Sequence, residues 1–483
     1  MSVRGIRISS PRGPDLSPRA TGGALEASFG VGGLGFAALN QNSRCIVAAT
    51  RRGFVVYSTE PFKKTFQRDL IPANEEGLEE ELPCSIALVE MLYTCNILAV
   101  VGSGNDELWQ ENVCVLWDDR QARSIVEMRF ATRIIGVTML REALLVVLEN
   151  KVCIYLLRGL SLVDSVLTAP NPSGLCVAAT TATSTQEQQK QTLVVACPAL
   201  QKGTVQVLFY LVSADDSQGM PAEAEGTEAE SSLIQSISIS AHENDLCCLC
   251  LSQDGSLLAS ASVKGTLVRI FSSASGQLLK EVRRGVNPAL ITCLCISPCN
   301  GLLAVCSNTG TLHLYRLGDG EAAAAPVAAA AAVTPASAAA AGAAAPTSTW
   351  ITSSSSATRE TVASSTSYNP AAAAAAAAAA VATAGDGSIA PNNNGNASGG
   401  RNVKSSWPFL SKISPYFQSE WSMAQFKFHF SENFAAVCAF GQEPQSILAL
   451  TADGCFYKLK YDANHGGTMV RSTFLRLAAE DGV

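Results

Sequence analysis

The chain has 483 residues, only 16% of them charged, and a formal net charge of -7 at pH 7. This acidic balance provides no chain-wide positive field, so it argues against a nucleic-acid-binding protein and means that any attraction to phosphate must be local. The length is sufficient for two or three average domains, or for one large all-β domain with polar insertions.

Residues 1–33 carry arginines and prolines but no uninterrupted apolar run. A secretory signal requires such a run behind its basic residues, so the sequence predicts a disordered N-terminal extension instead. No later stretch combines about 18 residues with the hydrophobicity that a membrane-spanning helix needs. We therefore expect membrane contact to be peripheral.

A pattern of an apolar strand, a polar turn and a second apolar strand recurs seven times along the chain. Successive copies begin about 45 to 65 residues apart, which is the spacing of four-stranded propeller blades. The β-branched and aromatic residues of these segments favour strands over helices. The sequence thus predicts an all-β, seven-bladed, WD40-like β-propeller. The copies are Ile46–Tyr57, Ile97–Trp117, Leu144–Leu156, Leu193–Tyr210, Leu257–Phe271, Leu302–Tyr315 and Ile447–Tyr461.

One interval is far longer than the others, because the sixth copy begins at Leu302 and the seventh at Ile447. Alanine tracts, Ser/Thr runs and asparagines fill it, and they contain too few large apolar side chains to fold independently. We predict a long disordered insertion in blade six. The predicted divisions are blades one to six in 34–317, the insert in 318–406, a loop segment in 407–420, the end of blade six with blade seven in 421–475, and a tail in 476–483.

The sequence has 16 cysteines, and many of them stand singly inside apolar runs. This placement indicates buried thiols in a reducing compartment rather than a disulfide framework. Two clusters raise the alternative of a zinc site, but strand alternation directs neighbouring residues to opposite faces. We therefore predict core packing and no metal for Cys247, Cys248, Cys250, Cys293 and Cys295.

Arg283, Arg284 and Gly285 follow one another near the end of a predicted strand. Neighbouring side chains of a strand point to opposite sides, so the two arginines can serve two pockets, one toward the fifth blade and one toward the sixth. Each guanidinium offers the planar, paired donors that suit phosphate oxygens. Glycine at position 285 removes the Cβ that would crowd an approaching phosphate group.

Hydroxyl, imidazole and cationic side chains flank this motif on both sides and supply the further donors that a phosphate group needs. An isolated arginine pair is more often plain solvated charge, and hydroxyls beside turns often bond only to nearby backbone. A structural role would explain His242 equally well. Toward the fifth blade stand His242, Ser260, Ser262, Lys264, Thr266 and Arg269. Toward the sixth blade stand Ser307, Thr309, Thr311 and His313.

Together these features resemble the PROPPIN family, the WIPI-type phosphoinositide-binding propellers of autophagy. The family's motif is an aromatic residue or leucine followed by Arg-Arg-Gly, and here the first position is Val282. The resemblance extends over nearly all of the predicted propeller, in segments such as 49–62, 89–104 and 440–454. It implies binding of phosphatidylinositol 3-phosphate and the 3,5-bisphosphate, and scaffolding of autophagosome formation. The binding set that it implies is Ser260, Ser262, Gly265, Thr266, Arg269, Arg283, Arg284, Gly285, Ser307, Thr311 and His313.

The resemblance also implies a membrane-inserting loop between the outer strands of blade six, and residues 407–420 occupy that position. Its apolar side chains would lie at the headgroup boundary. Packing on the edge of the blade is the alternative, because two prolines leave room for barely two helical turns. The side chains predicted to insert are Trp407, Phe409, Leu410, Ile413, Tyr416 and Phe417.

Partners and location follow from the same resemblance. The chain is expected to be cytoplasmic and peripherally bound to preautophagosomal and to endosomal or vacuolar membranes. It is expected to recruit an autophagy lipid-transfer protein through blades one to three. The corresponding stretch is 39–42, in which Asn42 stands where relatives often have an acidic residue. The alternative function is a protein-only adaptor whose arginines bind an acidic or phosphorylated partner. No enzyme is expected, because the sequence contains no catalytic cluster, phosphate loop or cofactor motif.

Overall fold

A computed structural model of the protein describes residues 5–8, 34–71, 84–182, 190–213, 232–318, 401–404, 420–429 and 434–477. The chain divides into two units, one formed by Met1–Ala323 with Ala397–Val483 and the other by Ala324–Asn396. The second unit lies outside the described residues. The architecture that follows is that of the first unit.

Seven sheets of at least four strands each form seven blades, which confirms the propeller predicted from the repeat. In every blade two consecutive strands correspond to one copy of the repeat and are joined as an antiparallel hairpin. The first blade holds β1 (Ile6–Arg7), β2 (Leu34–Leu39), β3 (Cys45–Thr50), β4 (Gly53–Thr59) and β5 (Phe62–Asp69). The second holds β6 (Ile86–Met91), β7 (Ile97–Gly102), β8 (Val113–Asp118) and β9 (Arg123–Arg129). The third holds β10 (Gly136–Met139), β11 (Ala143–Val147), β12 (Lys151–Leu156) and β13 (Leu162–Leu167).

The remaining blades carry the sequence motifs and the chain interval that contains the predicted insert. The fourth holds β14 (Val177–Ala182), β15 (Lys190–Pro198), β16 (Thr204–Ser213) and β17 (Ser232–Ser240). The fifth holds β18 (Leu246–Leu251), β19 (Leu257–Ser262), β20 (Leu267–Ser272) and β21 (Leu278–Arg283), extended by β25 (Val403–Lys404) and β26 (Glu420–Trp421). The sixth holds β22 (Ile291–Ile296), β23 (Leu302–Ser307), β24 (Thr311–Arg316), β27 (Ala424–Lys427) and β31 (Gly467–Thr468). The seventh holds β28 (Ala436–Phe440), β29 (Ser446–Thr451), β30 (Cys455–Lys460) and β32 (Val470–Arg476).

The hydrophobic core lies between neighbouring blades, because both faces of each central strand are apolar. Leu144 and Leu145 on β11 are both fully buried, yet Leu144 packs with side chains of blade two and Leu145 with side chains of blade four. Alternate side chains of one strand therefore pack into two different hydrophobic cores, one on each side of the blade. Each blade can bury its two faces only against its neighbours, which makes the fold a closed ring rather than a set of separate sheets.

The ring closes where blade one meets blade seven, since the two blades share one core cluster. The Phe62 ring stacks between those of Tyr57 and Phe456, with centroid distances of 5.5 and 5.0 Å. Beside them the Lys458 ammonium lies 3.0 Å from the Glu60 carboxylate, and both side chains are largely buried. Stacked rings and a sheltered ion pair thus join the two ends of the propeller chain.

The predicted core cysteines are buried, which confirms that interpretation for Cys248, Cys250, Cys293 and Cys295, while Cys247 is half-buried. Burial raises the pKa of the Cys295 thiol to about 12, so that it stays protonated at neutral pH. Among the residues that the structure describes, no group of three or more His, Cys, Asp or Glu side chains is arranged to hold a metal ion.

Several predicted boundaries need correction. The N-terminal extension was predicted to lack structure over residues 1–33, but Ile6–Arg7 forms β1 and pairs with β2. The predicted insert of 318–406 includes Val403–Lys404, which forms β25, and the loop segment of 407–420 includes the first residue of β26. At the other end, β32 continues to Arg476 and Leu477 is buried, so blade seven includes the first residues of the predicted tail. Backbone pairing with an existing sheet edge orders such short segments, and local composition does not reveal it.

Candidate functional site

Strand β21 ends at Arg283, with Arg284 directly after it, and lies near the outer side of blade five. Arg283 pairs with Leu267 and Val282 with Val268, both on β20. Val282 is fully buried in the core shared with blade six, while Arg283 and Arg284 retain 6% and 9% exposure. Two buried guanidinium groups in succession are unusual, since arginine is almost never fully buried unless paired.

One face of β21 points toward blade four. Glu281 on this face accepts a hydrogen bond from Arg269 Nε at 2.9 Å, and Arg269 Nη1 donates to the Ala241 carbonyl at 2.7 Å. Ala241 packs in the core between blades four and five. Arg283 is two residues from Glu281, so strand alternation directs it to the same face.

The blade-four side also carries His242, Ser260 and Ser262. His242 Nε2 and Ser260 Oγ are 2.9 Å apart, and both serines are buried. Burial, assisted by the positive charge of Arg269, lowers the His242 pKa to about 4. The imidazole is therefore neutral at pH 7. This group of side chains, together with Arg269 and Arg283, is called the first pocket set.

Arg284 faces blade six. Its Nε donates to the Gly265 carbonyl at 3.0 Å and its Nη2 donates to the Asn287 carbonyl. These bonds connect the β19–β20 turn to the loop that leaves β21. A guanidinium has five N–H groups, and within the described residues the other three of Arg284 make no hydrogen bond. Arg284 therefore ties two loops together and keeps donors for a ligand.

The blade-six side carries a second histidine and several hydroxyls. Burial, assisted by the nearby Arg284 charge, lowers the His313 pKa to about 4, so this imidazole is also neutral at pH 7. Its Nδ1 lies 3.1 Å from Ser422 Oγ. Ser307 pairs across the strand with Thr311 and lies 2.8 Å from Thr309 Oγ1. These residues with Arg284 are called the second pocket set.

The two glycines of the site have different roles. Gly265 adopts a φ of 58°, and a Cβ there would lie 1.7 Å from the Ala289 carbonyl oxygen. A Cβ on Gly285 would meet nothing within 4 Å, so this position faces open space as expected for a ligand approach. Thr266 is buried beside Gly265, whereas Lys264 is exposed at the tip of the turn.

The first pocket set lies between blades four and five and the second between blades five and six, whereas the sequence placed them toward the fifth and sixth blades. The structure also adds members that sequence reasoning missed. Glu281 orients Arg269, the Tyr315 hydroxyl donates to the Arg283 carbonyl at 2.9 Å, and Ser422 contacts His313. The sequence does indicate Glu281, because it lies two residues before Arg283 on the same strand and therefore points to the same side. Ser422 lies 109 residues from His313, and no local pattern relates them.

The chain preceding β27 is attached directly to the arginine strand. Glu420 on β26 pairs in parallel with Val282 and lies 2.9 Å from the Lys280 ammonium. Asn402 Nδ2 donates to Glu420 Oε2 at 2.6 Å, and Asn402 Oδ1 accepts from the Arg316 amide at 2.7 Å. The side chains predicted to enter the membrane lie outside the described residues: Trp407, Phe409, Leu410, Ile413, Tyr416 and Phe417. In the described part of the chain no helix is long and apolar enough to span a bilayer.

The stretch predicted to bind a protein partner is mostly buried. Leu39, Asn40 and Gln41 are inaccessible, and Asn40 Nδ2 donates to the Tyr93 carbonyl at 2.7 Å. Gln41 Nε2 donates to the Met139 carbonyl at 3.0 Å, which joins blade one to blade three. The prediction that these three side chains contact a partner is therefore wrong, because they hold the blades together. Asn42 alone of this stretch is partly exposed.

Comparisons with known proteins agree with this architecture. The sequence matches the PROPPIN family over residues 226–332. Autophagy-related protein 18e of Arabidopsis thaliana is 33% identical over 282 residues, which cover 58% of this chain and 65% of that protein. Autophagy-related protein 18 of Yarrowia lipolytica is 28% identical over 288 residues, which cover 59% of this chain and 67% of that protein. The chain thus spans less than two thirds of the length of the first of these relatives.

Solved structures show the same fold. Kluyveromyces lactis Hsv2 superposes with a TM-score of 0.54 at 17% identity, covering 91% of this chain and 98% of that one. The complex of KlAtg21 with the coiled-coil of AgAtg16 gives a TM-score of 0.52 at 16% identity, with coverage of 91% and 98%. The blade architecture and these comparisons lead to one conclusion: the chain is a seven-bladed β-propeller that is similar to the PROPPIN family, whose model matches residues 226–332.

Proposed function

We propose that this protein is a phosphoinositide effector that binds phosphatidylinositol 3-phosphate and the 3,5-bisphosphate through the two pocket sets and acts as a scaffold in autophagosome formation. The observation that carries the proposal is the placement of Arg283 at the end of β21 and of Arg284 directly after it, each near its own histidine and hydroxyls. Such a pair of sites suits two headgroups on one membrane.

The chemistry of the pockets supports phosphate as the ligand. Arg284 keeps three N–H groups for a ligand, and a guanidinium binds phosphate oxygens in a paired, planar geometry. The neutral histidines add one N–H donor each, while the serine and threonine hydroxyls donate or accept.

Two weak sites on one rigid strand explain how an acidic chain could hold an anionic surface. Once one headgroup is bound, the second site is held at a high effective concentration of lipid. The name of the relatives, Autophagy-related protein 18, supports the autophagy role, and the KlAtg21 complex is a precedent for protein partners on this fold. We infer a location on preautophagosomal and on endosomal or vacuolar membranes, and recruitment of a lipid-transfer protein by accessible residues of blades one to three.

Flotation with phosphatidylcholine vesicles tests the proposal, using vesicles that contain either phosphoinositide or none. Arg283→Thr with Arg284→Thr is expected to weaken binding at least tenfold, or about 1.4 kcal/mol, because both pockets lose their cation. The matched control is Arg123→Thr with Arg129→Thr on β9, which also removes two arginines but from exposed positions. A double pocket variant that still floats with phosphatidylinositol 3-phosphate vesicles would exclude these pockets.

The same measurements distinguish the protein-only adaptor. The adaptor would be favoured if wild-type protein bound none of the vesicles but bound a phosphorylated or acidic peptide, and if that peptide binding required Arg283 and Arg284. Equal binding to vesicles with and without phosphoinositide would instead indicate a general membrane affinity.

A further inference from the structure

Three exposed aliphatic side chains lie on loops around the arginine pair. Val263 is at the tip of the β19–β20 turn with 49% exposure, and Val286 and Leu290 are in the β21–β22 loop with 58% and 47%. These three residues are called the apolar rim. Single exposed aliphatics are ordinary on a protein surface, but several on adjoining loops beside a candidate site indicate a contact surface.

Hydrogen bonds hold the loops of the apolar rim together. The Ala289 amide donates to the Lys264 carbonyl at 3.2 Å, which joins the β21–β22 loop to the β19–β20 turn. The Leu290 amide donates to Asn308 Oδ1 at 3.0 Å, and the Asn308 amide donates to the Leu290 carbonyl at 2.9 Å. The Arg284 guanidinium adds its own two bonds between the loops. The rim is therefore a fixed part of the site rather than three unrelated loop tips.

The charge around the apolar rim is positive although the whole chain is acidic. The loops 262–266, 284–290 and 307–311 contain Lys264 and Arg284 and no aspartate or glutamate. An exposed carboxylate beside these loops belongs to Asp245, whose backbone carbonyl accepts from the Val263 amide at 2.9 Å. Its side chain lies 3.7 Å from the Lys202 ammonium. Aliphatic tips beside a lysine match the boundary between lipid headgroups and acyl chains.

We propose that the apolar rim inserts between the headgroups of an anionic bilayer while Arg283 and Arg284 bind phosphate. This inference rests on the proposed function and deepens it, because it assigns bilayer contact to the β19–β20 turn and the β21–β22 loop beside the arginine pair. The rim lacks aromatic anchors, so it suits shallow insertion among lipids better than a hot spot for a folded protein.

The inference predicts that substitutions in the apolar rim weaken binding to vesicles but leave binding of the soluble headgroup nearly unchanged. Burial of aliphatic side chains supports vesicle binding only, and loss of even one such contact corresponds to about tenfold in affinity. Val263→Ser, Val286→Ser and Leu290→Ser combined are therefore expected to weaken binding to phosphatidylinositol 3-phosphate vesicles at least tenfold. Binding of soluble inositol 1,3-bisphosphate, measured by calorimetry, should change less than twofold. Val286→Phe should strengthen vesicle binding, because it adds apolar surface.

A control replaces by serine three exposed leucines elsewhere, Leu162, Leu167 and Leu200, with 56%, 62% and 69% exposure, and should leave vesicle binding unchanged. Unchanged vesicle affinity in the rim variant would overturn the inference. So would a parallel loss of soluble headgroup binding, since the rim would then only shape the pocket. Failure of the proposed function is separately visible, because wild-type protein would then bind neither the soluble headgroup nor the vesicles.

Discussion

Removal of Arg284 should weaken the fold as well as the ligand site, because this side chain connects two loops. It donates from Nε to the Gly265 carbonyl at 3.0 Å and from Nη2 to the Asn287 carbonyl. Arg284→Thr removes both bonds. Arg284→Lys keeps the charge, but an ammonium cannot reproduce the forked geometry of the guanidinium, so it retains one bond at most.

The size of the effect follows from these contacts. A hydrogen bond to a charged group contributes about 1.5–3 kcal/mol. Burial opposes part of the gain, since it lowers the Arg284 pKa by disfavouring the charge. The net loss in unfolding free energy is therefore expected to be about 2 kcal/mol for Arg284→Thr and about 1 kcal/mol for Arg284→Lys.

Thermal unfolding followed by circular dichroism measures this difference as a fall in Tm of a few degrees. The exposed Arg129→Thr on β9 is the control, and its Tm should not change. Vesicle binding of Arg284→Lys should still be reduced, because lysine binds phosphate as a point charge rather than in a planar pair. An Arg284→Thr protein with unchanged Tm would refute the structural role that we assign to this side chain.

Two other predictions concern the glycines and the histidines. Gly265→Ala should lower stability by about 1–3 kcal/mol because of its positive φ and the close Ala289 carbonyl, whereas Gly285→Ala should leave Tm unchanged; equal Tm values would contradict this contrast. Folded-state pKa values of about 4 for His242 and His313 mean that the unfolded chain binds more protons between about pH 4 and 6.5. Stability should therefore rise with pH across that window and fall on acidification through it, and His313→Asn should flatten part of the Tm profile; an unaltered profile would exclude His313 as a contributor.

The blades could be predicted from the sequence because each is a local unit. Alternation of apolar residues in segments such as Leu193–Tyr210 specifies a hairpin, and seven copies at blade spacing specify a ring. The separation of Arg283 from Arg284 is equally local, since adjacent side chains on a strand face opposite ways. Hydroxyls and histidines at two-residue spacing could be assigned to faces by the same reasoning.

Contacts between distant segments could not be predicted in this way. Strand β26 adds to the edge of β21 through backbone pairing, which leaves no side-chain signature at Glu420. Gln41 looked accessible in sequence, yet it is buried where blades one, two and three meet. Nor does the sequence indicate that Val263, Val286 and Leu290 lie on loops held together by hydrogen bonds, because those bonds form only when neighbouring blades pack.

The alternation of apolar residues along the strands and the opposite directions of the Arg283 and Arg284 side chains are properties of short segments. Both can therefore be predicted from the sequence. The composition of the pockets is different, since His313 meets Ser422 and Arg284 meets Gly265 only after the ring has closed. Burial then lowers the pKa of both histidines. The hydrogen bonds that Arg284 makes to backbone carbonyls determine how many of its N–H groups remain for a ligand. Local alternation thus fixed which way each side chain points, and packing between blades decided what each one meets there.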